Sequence, residues 1–425
     1  MKKVRVAVFP AGTEIGLEIC NALKYEKNVE LVGLNSVLDH SEMLFKNMIL
    51  VPFYTDFGFV SELNKVIQTN AIDYIYPAYD DVLLFMTQKQ NEIKAKIVTS
   101  PLTTIEITRS KRKTYEHLKK QKFIPKMYRK IEEIKEYPVF VKPDIGQGSF
   151  GAKKIRTEQE MLMVDNLADM VITEYLPGEE LTVDCFTNDT GELVSYIPRK
   201  RLRIRNGIAV RSELAEMTDE IFAIADELNH IFEFSGAWFF QIKKDKDGKY
   251  KLLEIAARIA GTMGLTRNLG INYPMLTLYM HMGIPVSVQK NNYDILVDRA
   301  LISRYNLDIE YEYVYVDLDD TLILNGEVNC IMMLYLYQCI NHNKHIYLLT
   351  RHQGDVEEYL GKFKISSIIF EKIITMGENE SKSCYMEHAN AIFIDDSFKE
   401  RSSVKEECKI PVFGIDNIES LIEWK

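Results

Sequence analysis

The chain has 425 residues, which predicts more than one domain, and 46% of them are hydrophobic, enough to build cores. With a net charge of −10, nothing in the composition indicates binding to nucleic-acid backbones or anionic membranes. The six cysteines lack metal-ligand or redox spacing, so we expect reduced thiols in a cytoplasmic protein. The first apolar run predicts a strand rather than a signal peptide, and no run is long enough to span a bilayer.

Strands and helices alternate over residues 1–105. Strands predicted at 4–9, 29–34, 73–77 and 97–99, with a helix at 15–25, indicate a parallel α/β layer. The turn from Pro10 to Gly16 has half of a dinucleotide-binding fingerprint, since one glycine is missing and no acidic residue follows the second strand. The turn stays a candidate for substrate contact. Asp80 and Asp81, after Pro77, are a candidate pair of loop residues, but the sequence favours the N-cap and first-turn acid of a helix.

A glycine-rich stretch, YPVFVKPDIGQGSFGAKK, covers residues 137–154. A predicted strand at 139–141 leads into Lys142, and Gly146, Gly148, Ser149 and Gly151 follow. Glycines let backbone N–H groups approach phosphate oxygens closely, and a lysine adds a point charge. The pattern favours a nucleoside triphosphate site, with a glycine-rich surface hairpin as the alternative. It is not a Walker loop, because no Gly-Lys-Ser/Thr follows.

Further elements flank this stretch on both sides. A basic helix with Lys111 and Lys113 comes before it, and a helix is predicted at 218–232 after it. Basic and apolar residues alternate over 201–205, which puts three guanidinium groups on one face of a strand. This face could bind an anion or could face solvent. A hairpin turn at 246–248 predicts an antiparallel pair that carries Gln241 and Glu254, and Arg258 follows directly.

Together these elements resemble the ATP-grasp superfamily, in its carbamoyl-phosphate-synthetase and carboxylate–amine ligase branch, over residues 1–290. The resemblance implies a pre-ATP-grasp α/β domain at 1–105 and an α+β nucleotide-binding domain at 106–305, which binds ATP with Mg²⁺ or Mn²⁺. Lys111 and Lys142, with Lys113 less secure, would meet phosphates, and Arg258 would stabilise the transferred phosphoryl group. The other implied residues are a cover over the phosphates (Gly146, Gly148, Ser149, Gly151), an adenine-reading backbone (Glu174, Tyr175, Leu176), a ribose ligand (Glu180) and metal ligands (Gln241, Glu254).

The sequence departs from the family at one metal ligand. The family normally has an asparagine two positions after Glu254, and here the residue is Ala256. Mg²⁺ prefers near-octahedral oxygen coordination, so water or another side chain would have to supply the missing oxygen.

A third domain is predicted at 310–425, after a polar segment. Its predicted helices are 327–341, 354–362, 381–388 and 398–406, and its later strands are 345–349, 366–370, 391–394 and 410–413. The polar residues follow strand ends, where α/β sheets carry their sites. Four carboxylates at one sheet edge repel one another, and a bound divalent cation is the usual way to relieve this repulsion. A carboxylate can also act as the nucleophile that attacks a phosphoryl group. The residues concerned are Asp317, Asp319, Thr350, Asp395 and Asp396, with Lys382 thirteen residues before Asp395.

These residues, in this order, resemble the four motifs of the haloacid dehalogenase superfamily of phosphohydrolases. The resemblance implies a Rossmann-like domain without a large cap, because the gaps between motifs hold only crossover elements. Asp317 would be the nucleophile and Asp319 the acid/base, and Thr350 and Lys382 would hold the phosphoryl group. Asp317, Asp395 and Asp396 would bind Mg²⁺, and we include Asp319 among the candidate metal ligands.

The sequence therefore predicts a cytoplasmic bifunctional enzyme with α/β and α+β domains. One half would be an ATP-dependent carboxylate–amine ligase, and the other a Mg²⁺-dependent phosphatase with an aspartyl-phosphate intermediate. The alternatives are a phosphatase whose ATP-grasp half only binds nucleotide and a non-catalytic scaffold. The expected partners are small carboxylate, amine and phosphoester substrates, without nucleic acid or membrane, and related ATP-grasp proteins often form homodimers.

Overall fold

The structure is a computed structural model that describes residues 3–146, 148, 150–205 and 207–425. It divides into two compact units, residues 1–301 and 302–425. The finer division of the first unit between residues 105 and 106 stays a prediction. Within the described ranges, no helix is both long and apolar enough to cross a membrane.

The chain begins with the predicted parallel α/β layer. Its sheet has the order β3-β2-β1-β4-β5, with parallel pairing throughout. The strands are β1 Val4–Phe9, β2 Val29–Asn35, β3 Met48–Leu50, β4 Tyr74–Pro77 and β5 Lys96–Ile97, and the helices are α1 Glu14–Leu23, α2 Phe59–Thr69, α3 Asp80–Gln88, α4 Leu102–Thr108 and α5 Lys111–His117, with a 3₁₀ turn at His40–Met43.

A small antiparallel sheet follows and includes the predicted strand before the glycines. Its order is β6-β9-β7-β8. Its elements are β6 Met127–Tyr128, β7 Val139–Pro143, β8 Lys153–Ile155, α6 Glu158–Leu162 and β9 Met170–Glu174, with 3₁₀ turns at Ile131–Glu133 and Leu167–Asp169.

A large antiparallel sheet completes the first unit, in the order β14-β13-β10-β11-β12-β15. The hairpin predicted at 246–248 is confirmed, since it joins β13 to β14. The elements are β10 Glu180–Thr187, β11 Leu193–Arg205, β12 Ile208–Leu214, α7 Asp219–Ile231, β13 Gly236–Lys244, β14 Tyr250–Ala256, α8 Gly264–Arg267, α9 Tyr273–His281 and β15 Leu296–Asp298.

One hydrophobic core joins the parallel sheet to the large antiparallel sheet. Val6 and Val8 of β1 pack in the same cluster as Phe186 of β10 and Phe239 of β13. Burial of apolar surface is the main favourable term in folding, so this shared core holds the loops of both sheets at fixed positions.

The second unit is a parallel α/β domain, as predicted. Its sheet has the order β20-β19-β16-β21-β22, with parallel pairing throughout. The elements are β16 Tyr313–Val316, β17 Ile323–Leu324, β18 Glu327–Val328, α10 Cys330–Asn341, β19 His345–Thr350, α11 Val356–Lys362, β20 Lys372–Thr375, β21 Ala391–Ile394, α12 Phe398–Cys408 and β22 Val412–Phe413, with 3₁₀ turns at Ser367–Ile369, Lys382–Tyr385 and Ile415–Leu421.

Three predicted elements of this unit are wrong in type or extent. The strand predicted at 366–370 is a 3₁₀ turn, and the strand lies at Lys372–Thr375 instead. The helix predicted at 381–388 is only a 3₁₀ turn, Lys382–Tyr385. The helix predicted from 327 begins at Cys330, because the Asn329 side chain caps it by accepting from the Met332 N–H.

Candidate active sites

A row of side chains crosses neighbouring strands on one face of the large sheet. Thr182 of β10 is paired with Arg199 of β11 on one side and with Gln241 of β13 on the other. Gln241 is in turn paired with Glu254 of β14. Residues directly opposite in antiparallel strands project to the same face. All four side chains therefore line one cavity of about 410 Å³.

The opposite wall of this cavity comes from the parallel α/β layer. The turn after β1 contributes Gly12 and Thr13, and the start of α3 contributes Asp80. Arg258 bridges the two walls, because its Nε and Nη2 atoms donate to the two Asp80 carboxylate oxygens at 2.7 and 2.6 Å. Burial raises the pKa of Asp80, but the Arg258 guanidinium, with the charges of Arg109 and Lys111, outweighs burial and lowers the pKa below its usual value. The pair is therefore ionised.

A second, narrower cavity of about 110 Å³ meets the first at Gln241 and Glu254. Its lining includes Phe140 and Lys142 of β7 and Leu253 of β14. Lys111 and Arg201 line both cavities. The first unit thus has a narrow chamber and a wide chamber that share the two predicted metal ligands.

Lys142 lies at the inner wall of the narrow cavity and is 7% exposed. Its Nζ donates to the Tyr115 hydroxyl and to the Leu253 carbonyl, both at 2.8 Å. Burial, assisted by the charge of Lys111, lowers the pKa of Lys142 to about 7. An anion in this cavity would favour the charged form of the amine.

Arg201 donates hydrogen bonds to the predicted ribose ligand, Glu180, and to the predicted metal ligand, Gln241. Its Nη1 donates to Glu180 Oε1 at 2.5 Å and to Gln241 Oε1 at 2.8 Å. Its Nη2 donates to the Gly207 carbonyl at 2.6 Å. Of the three arginines predicted to share a strand face, Arg201 is the buried one, with a side chain 5% exposed, whereas Arg203 is exposed and paired with Asp298.

The glycine stretch approaches the β11–β12 turn closely. A Cβ atom on Gly207 would lie 1.8 Å from the Gly148 carbonyl oxygen, and both glycines have positive φ. Only glycine fits at Gly207 without moving the backbone. Gly146 lines both cavities, and its carbonyl lies 3.4 Å from Lys111 Nζ. Gly151 has φ +75°, and the predicted residue Ser149 lies outside the described residues.

The three residues predicted to read adenine begin at Glu174, the last residue of β9, and continue into the segment after it. The Glu174 carboxylate accepts from the Lys126 N–H at 2.8 Å. Lys154 Nζ lies 3.8 Å from the Tyr175 ring centroid, and Leu176 is buried. Their role in adenine binding stays a prediction.

The second unit gathers three carboxylates at the carboxyl ends of β16 and β21. Asp317, Asp395 and Asp396 each offer an oxygen, and these oxygens lie within 4.8 Å of one another. Lys382 donates to both Asp317 and Asp395. Burial and the neighbouring Asp395 raise the pKa of Asp317 to about 7, although Lys382 opposes them. Burial also raises the pKa of Asp395. Hard oxygen donors at this spacing fit Mg²⁺ or Mn²⁺.

Asp319 is oriented separately from this carboxylate group. Both of its oxygens lie 3.0–3.1 Å from His352 Nδ1. The His352 ring packs on Tyr359, with 4.0 Å between centroids, and the His352 N–H donates to Thr350 Oγ1 at 2.9 Å. Thr350 is fully buried at the end of β19. Metal binding by Asp319 stays a prediction, and the histidine contact suits a proton-transfer role instead.

Segments of this chain are similar in sequence to one protein family and to one curated enzyme. Residues 166–300 match the model of a family described as ATP-grasp in the biosynthetic pathway with Ter operon. A 76-residue segment is 36% identical to a D-alanine–D-alanine ligase of Fusobacterium nucleatum, and it covers 18% of this chain and 26% of that ligase. The match therefore spans about a quarter of this curated relative.

Solved structures share the fold at low identity. The biotin carboxylase domain of Hydrogenobacter thermophilus 2-oxoglutarate carboxylase, solved as a dimer with MgADP, ADP and bicarbonate, has a TM-score of 0.56 at 16% identity, over 70% of this chain and 74% of that one. Staphylococcus aureus N5-carboxyaminoimidazole synthetase with ADP has a TM-score of 0.57 at 17% identity, and the match covers 71% of this chain and 83% of that one. Bacillus licheniformis L-amino acid ligase has a TM-score of 0.52 at 17% identity, and the match covers 65% of this chain and 74% of that one.

Residues 166–300 therefore match an ATP-grasp family model, and about 70% of the chain shares its fold with these solved enzymes. At identities of 16–17%, the structural similarity shows a common fold and no more.

Two features of the two chambers in the first unit do not follow from the sequence. Asp80 was predicted as a helix cap, yet α3 begins at Asp80 without a side-chain cap, and the carboxylate pairs with Arg258. Arg199 was not singled out, although it is 1% exposed and forms a buried ion pair with Asp184. The sequence does give one indication of its place: Arg199 lies two positions before Arg201, so the two side chains are expected on the same face of the strand.

Proposed function

We propose that the first unit binds ATP with Mg²⁺ or Mn²⁺ and joins a carboxylate to an amine through an acyl phosphate. The observation that carries this proposal is the meeting of two chambers at Gln241 and Glu254. A narrow chamber next to a buried lysine suits nucleotide phosphates, and a wide cationic chamber suits an acid substrate. The names of the relatives, D-alanine–D-alanine ligase and L-amino acid ligase, support the ligase class.

The proposed reaction has two steps. A substrate carboxylate oxygen attacks the γ-phosphorus, the bond to the β-phosphate oxygen breaks, and ADP leaves. The amine nitrogen then attacks the acyl carbon, loses a proton, and inorganic phosphate leaves. Gln241 and Glu254 would hold a divalent cation, which would neutralise charge on the phosphates. Lys111 and Arg258 line the wide chamber, where they would hold the phosphoryl group during transfer.

A screen of small acids and amines tests this reaction. ADP formation that requires both an acid and an amine is the expected result. ATP binding without ADP formation from any pair would favour the alternative of a nucleotide-binding half, for which Ala256 is the specific observation. We also propose a homodimer, because the Hydrogenobacter domain was solved as a dimer, and sedimentation tests it.

We propose that the second unit is a Mg²⁺-dependent phosphohydrolase. The carrying observation is the contact of one buried lysine with two carboxylates in a group of three. Asp317 would attack phosphorus, and Asp319 would donate a proton to the leaving alcohol oxygen as the phosphoester bond breaks. Asp319 would then take a proton from water as that water attacks the phosphoaspartate and releases phosphate. Release of phosphate from p-nitrophenyl phosphate, dependent on Mg²⁺, is the test.

Replacing Lys142 with alanine is expected to weaken ATP binding by about 1.5–3 kcal/mol, the scale of a hydrogen bond to a charged group. Calorimetry with a non-hydrolysable ATP analogue measures this loss. Phosphate release by the second unit should be unchanged. The matched control is Lys153→Met on the neighbouring strand β8, where the lysine is exposed and should contribute little. Equal affinity in Lys142→Ala and wild type would reject the proposed phosphate contact.

Nucleotide binding is also expected to take up a proton at Lys142. The free amine has a pKa of about 7, so it is mostly neutral at pH 8, and phosphate oxygens raise that pKa. Binding at pH 8 should therefore draw a proton from solution, whereas below about pH 6 the amine is charged in both states and uptake vanishes. Calorimetry in buffers of different ionisation enthalpy measures the uptake. Lys142→Ala should lose it, and equal uptake in that variant would contradict the assignment.

A further inference from the structure

The oxygen donors of the ATP-grasp site do not suit two cations. Of the family's three expected side-chain ligands, Gln241 and Glu254 are present, and the third position is Ala256. Ala256 lies opposite Phe239, which is apolar. The next strand in that row carries Asp184, but its carboxylate already accepts from Arg199 Nε at 2.9 Å and from Thr266 Oγ1 at 2.8 Å. The described part of this row therefore offers no spare oxygen for a second ion.

A buried guanidinium group contacts one of the two predicted metal ligands. Arg201 donates to the Gln241 side-chain oxygen and to Glu180 through the same nitrogen. An amide oxygen has two lone pairs, so Gln241 can hold one cation and still accept from Arg201. Arg201 and Glu254 both line the two chambers.

Two buried N–H groups point to a ligand in the wide chamber. Within the described residues, Arg201 Nε and Arg199 Nη1 have no hydrogen-bond partner. The two side chains are 5% and 1% exposed, and both line the wide chamber. Buried donors are normally paired, so oxygen atoms of a bound anion are the expected partners. Arginine matches phosphate geometry through its fork of donors.

We propose that this ATP-grasp site binds one divalent cation, and that Arg201, assisted by Arg199, supplies the charge that a second cation would provide. The proposal rests on the proposed nucleotide-binding function of the first unit. It explains why Ala256 is compatible with a working site: the missing ligand belongs to an ion that this site does not use.

Counting bound Mn²⁺ ions in the full chain tests the proposal. Mn²⁺ is titrated with and without a saturating non-hydrolysable ATP analogue, and bound ions are measured by electron paramagnetic resonance. Subtracting the number of ions bound without the analogue from the number bound with it excludes any ion held by the second unit. One additional Mn²⁺ per chain on nucleotide addition is expected. Two additional ions, with the dipolar broadening of a close pair, would overturn the proposal. A chain that fails to bind the nucleotide would instead reject the proposed function.

Variants test the part played by Arg201. Ala256→Asn alone should still bind one additional ion, because Arg201 keeps its contact with Gln241. Ala256→Asn combined with Arg201→Met should bind two. The matched control is Ala256→Asn with Arg211→Met, on the neighbouring strand β12, whose arginine is 47% exposed and contacts Asp298. This control should bind one.

Two outcomes would overturn the arginine assignment: a second ion in Ala256→Asn alone, or a single ion in the Arg201→Met combination. Near-ultraviolet circular dichroism checks that each variant is folded. The wild-type count needs no substitution, so it decides the proposal even if a variant fails to fold.

Discussion

Asp317→Asn is expected to abolish phosphate release from p-nitrophenyl phosphate, with a loss on the order of 10³-fold or more. The amide has nearly the shape of the carboxylate but is a far weaker nucleophile. Asp317 lies at the end of β16, 6% exposed, where an isosteric change leaves packing intact. Lys382 keeps its contact with Asp395 in this variant, so we expect the variant to stay folded, which near-ultraviolet circular dichroism checks.

The matched control is Asp320→Asn, three residues later in the same loop. Asp320 is exposed and has φ +58°, a conformation that asparagine tolerates well. Turnover should be close to wild type in this control. A quench with acid should also trap radiolabelled phosphate on the wild-type chain and not on Asp317→Asn. Unchanged turnover in Asp317→Asn would remove Asp317 as the nucleophile.

Local rules predicted much of the arrangement in both units. The Lys246-Asp247-Gly248 turn fixed a hairpin, and pairing across it brought Gln241 opposite Glu254. The carboxyl-end rule for parallel sheets predicted that Asp317 and Asp395 would share an edge, and their strands β16 and β21 are indeed neighbours. In each case the physical constraint acts within one turn or one strand pair, so the sequence carries it directly.

Contacts between distant segments were missed for the opposite reason. Asp80 and Arg258 are 178 positions apart, and neither residue alone indicates its partner. His352 follows a recognised threonine, yet its contact with Asp319 depends on how two loops meet. The wrong strand at 366–370 has a local cause, because three consecutive apolar residues, 368–370, predict a buried strand. In the structure Ser367–Ile369 form a 3₁₀ turn, and Ile368 is 89% exposed.

Arg258→Met is expected to lower the free energy of unfolding of the first unit by about 3–5 kcal/mol. The Arg258 and Asp80 side chains are each 14% exposed, and both Asp80 oxygens accept from the guanidinium. Removing the arginine leaves a largely buried carboxylate without its partner. Trp238 is fully buried in the first unit, so its fluorescence reports urea unfolding there in a Trp424→Phe background. An exposed pair gives the control: Lys200→Met, which removes the contact with Glu213, should cost less than about 1 kcal/mol.

A double variant separates the structural role of Arg258 from its proposed catalytic role. Asp80→Asn with Arg258→Gln replaces the ion pair with neutral groups that can hydrogen-bond, so the combined loss of stability should be smaller than the sum of the single losses. Turnover should not recover, because the charge that would stabilise the transferred phosphoryl group is still absent, and losses on the order of 10³-fold accompany removal of such an arginine. ADP formation, measured once an acid and amine pair is found, decides between the roles. If the double variant regains both stability and turnover, Arg258 holds the two walls of the wide chamber together and does not act on phosphate.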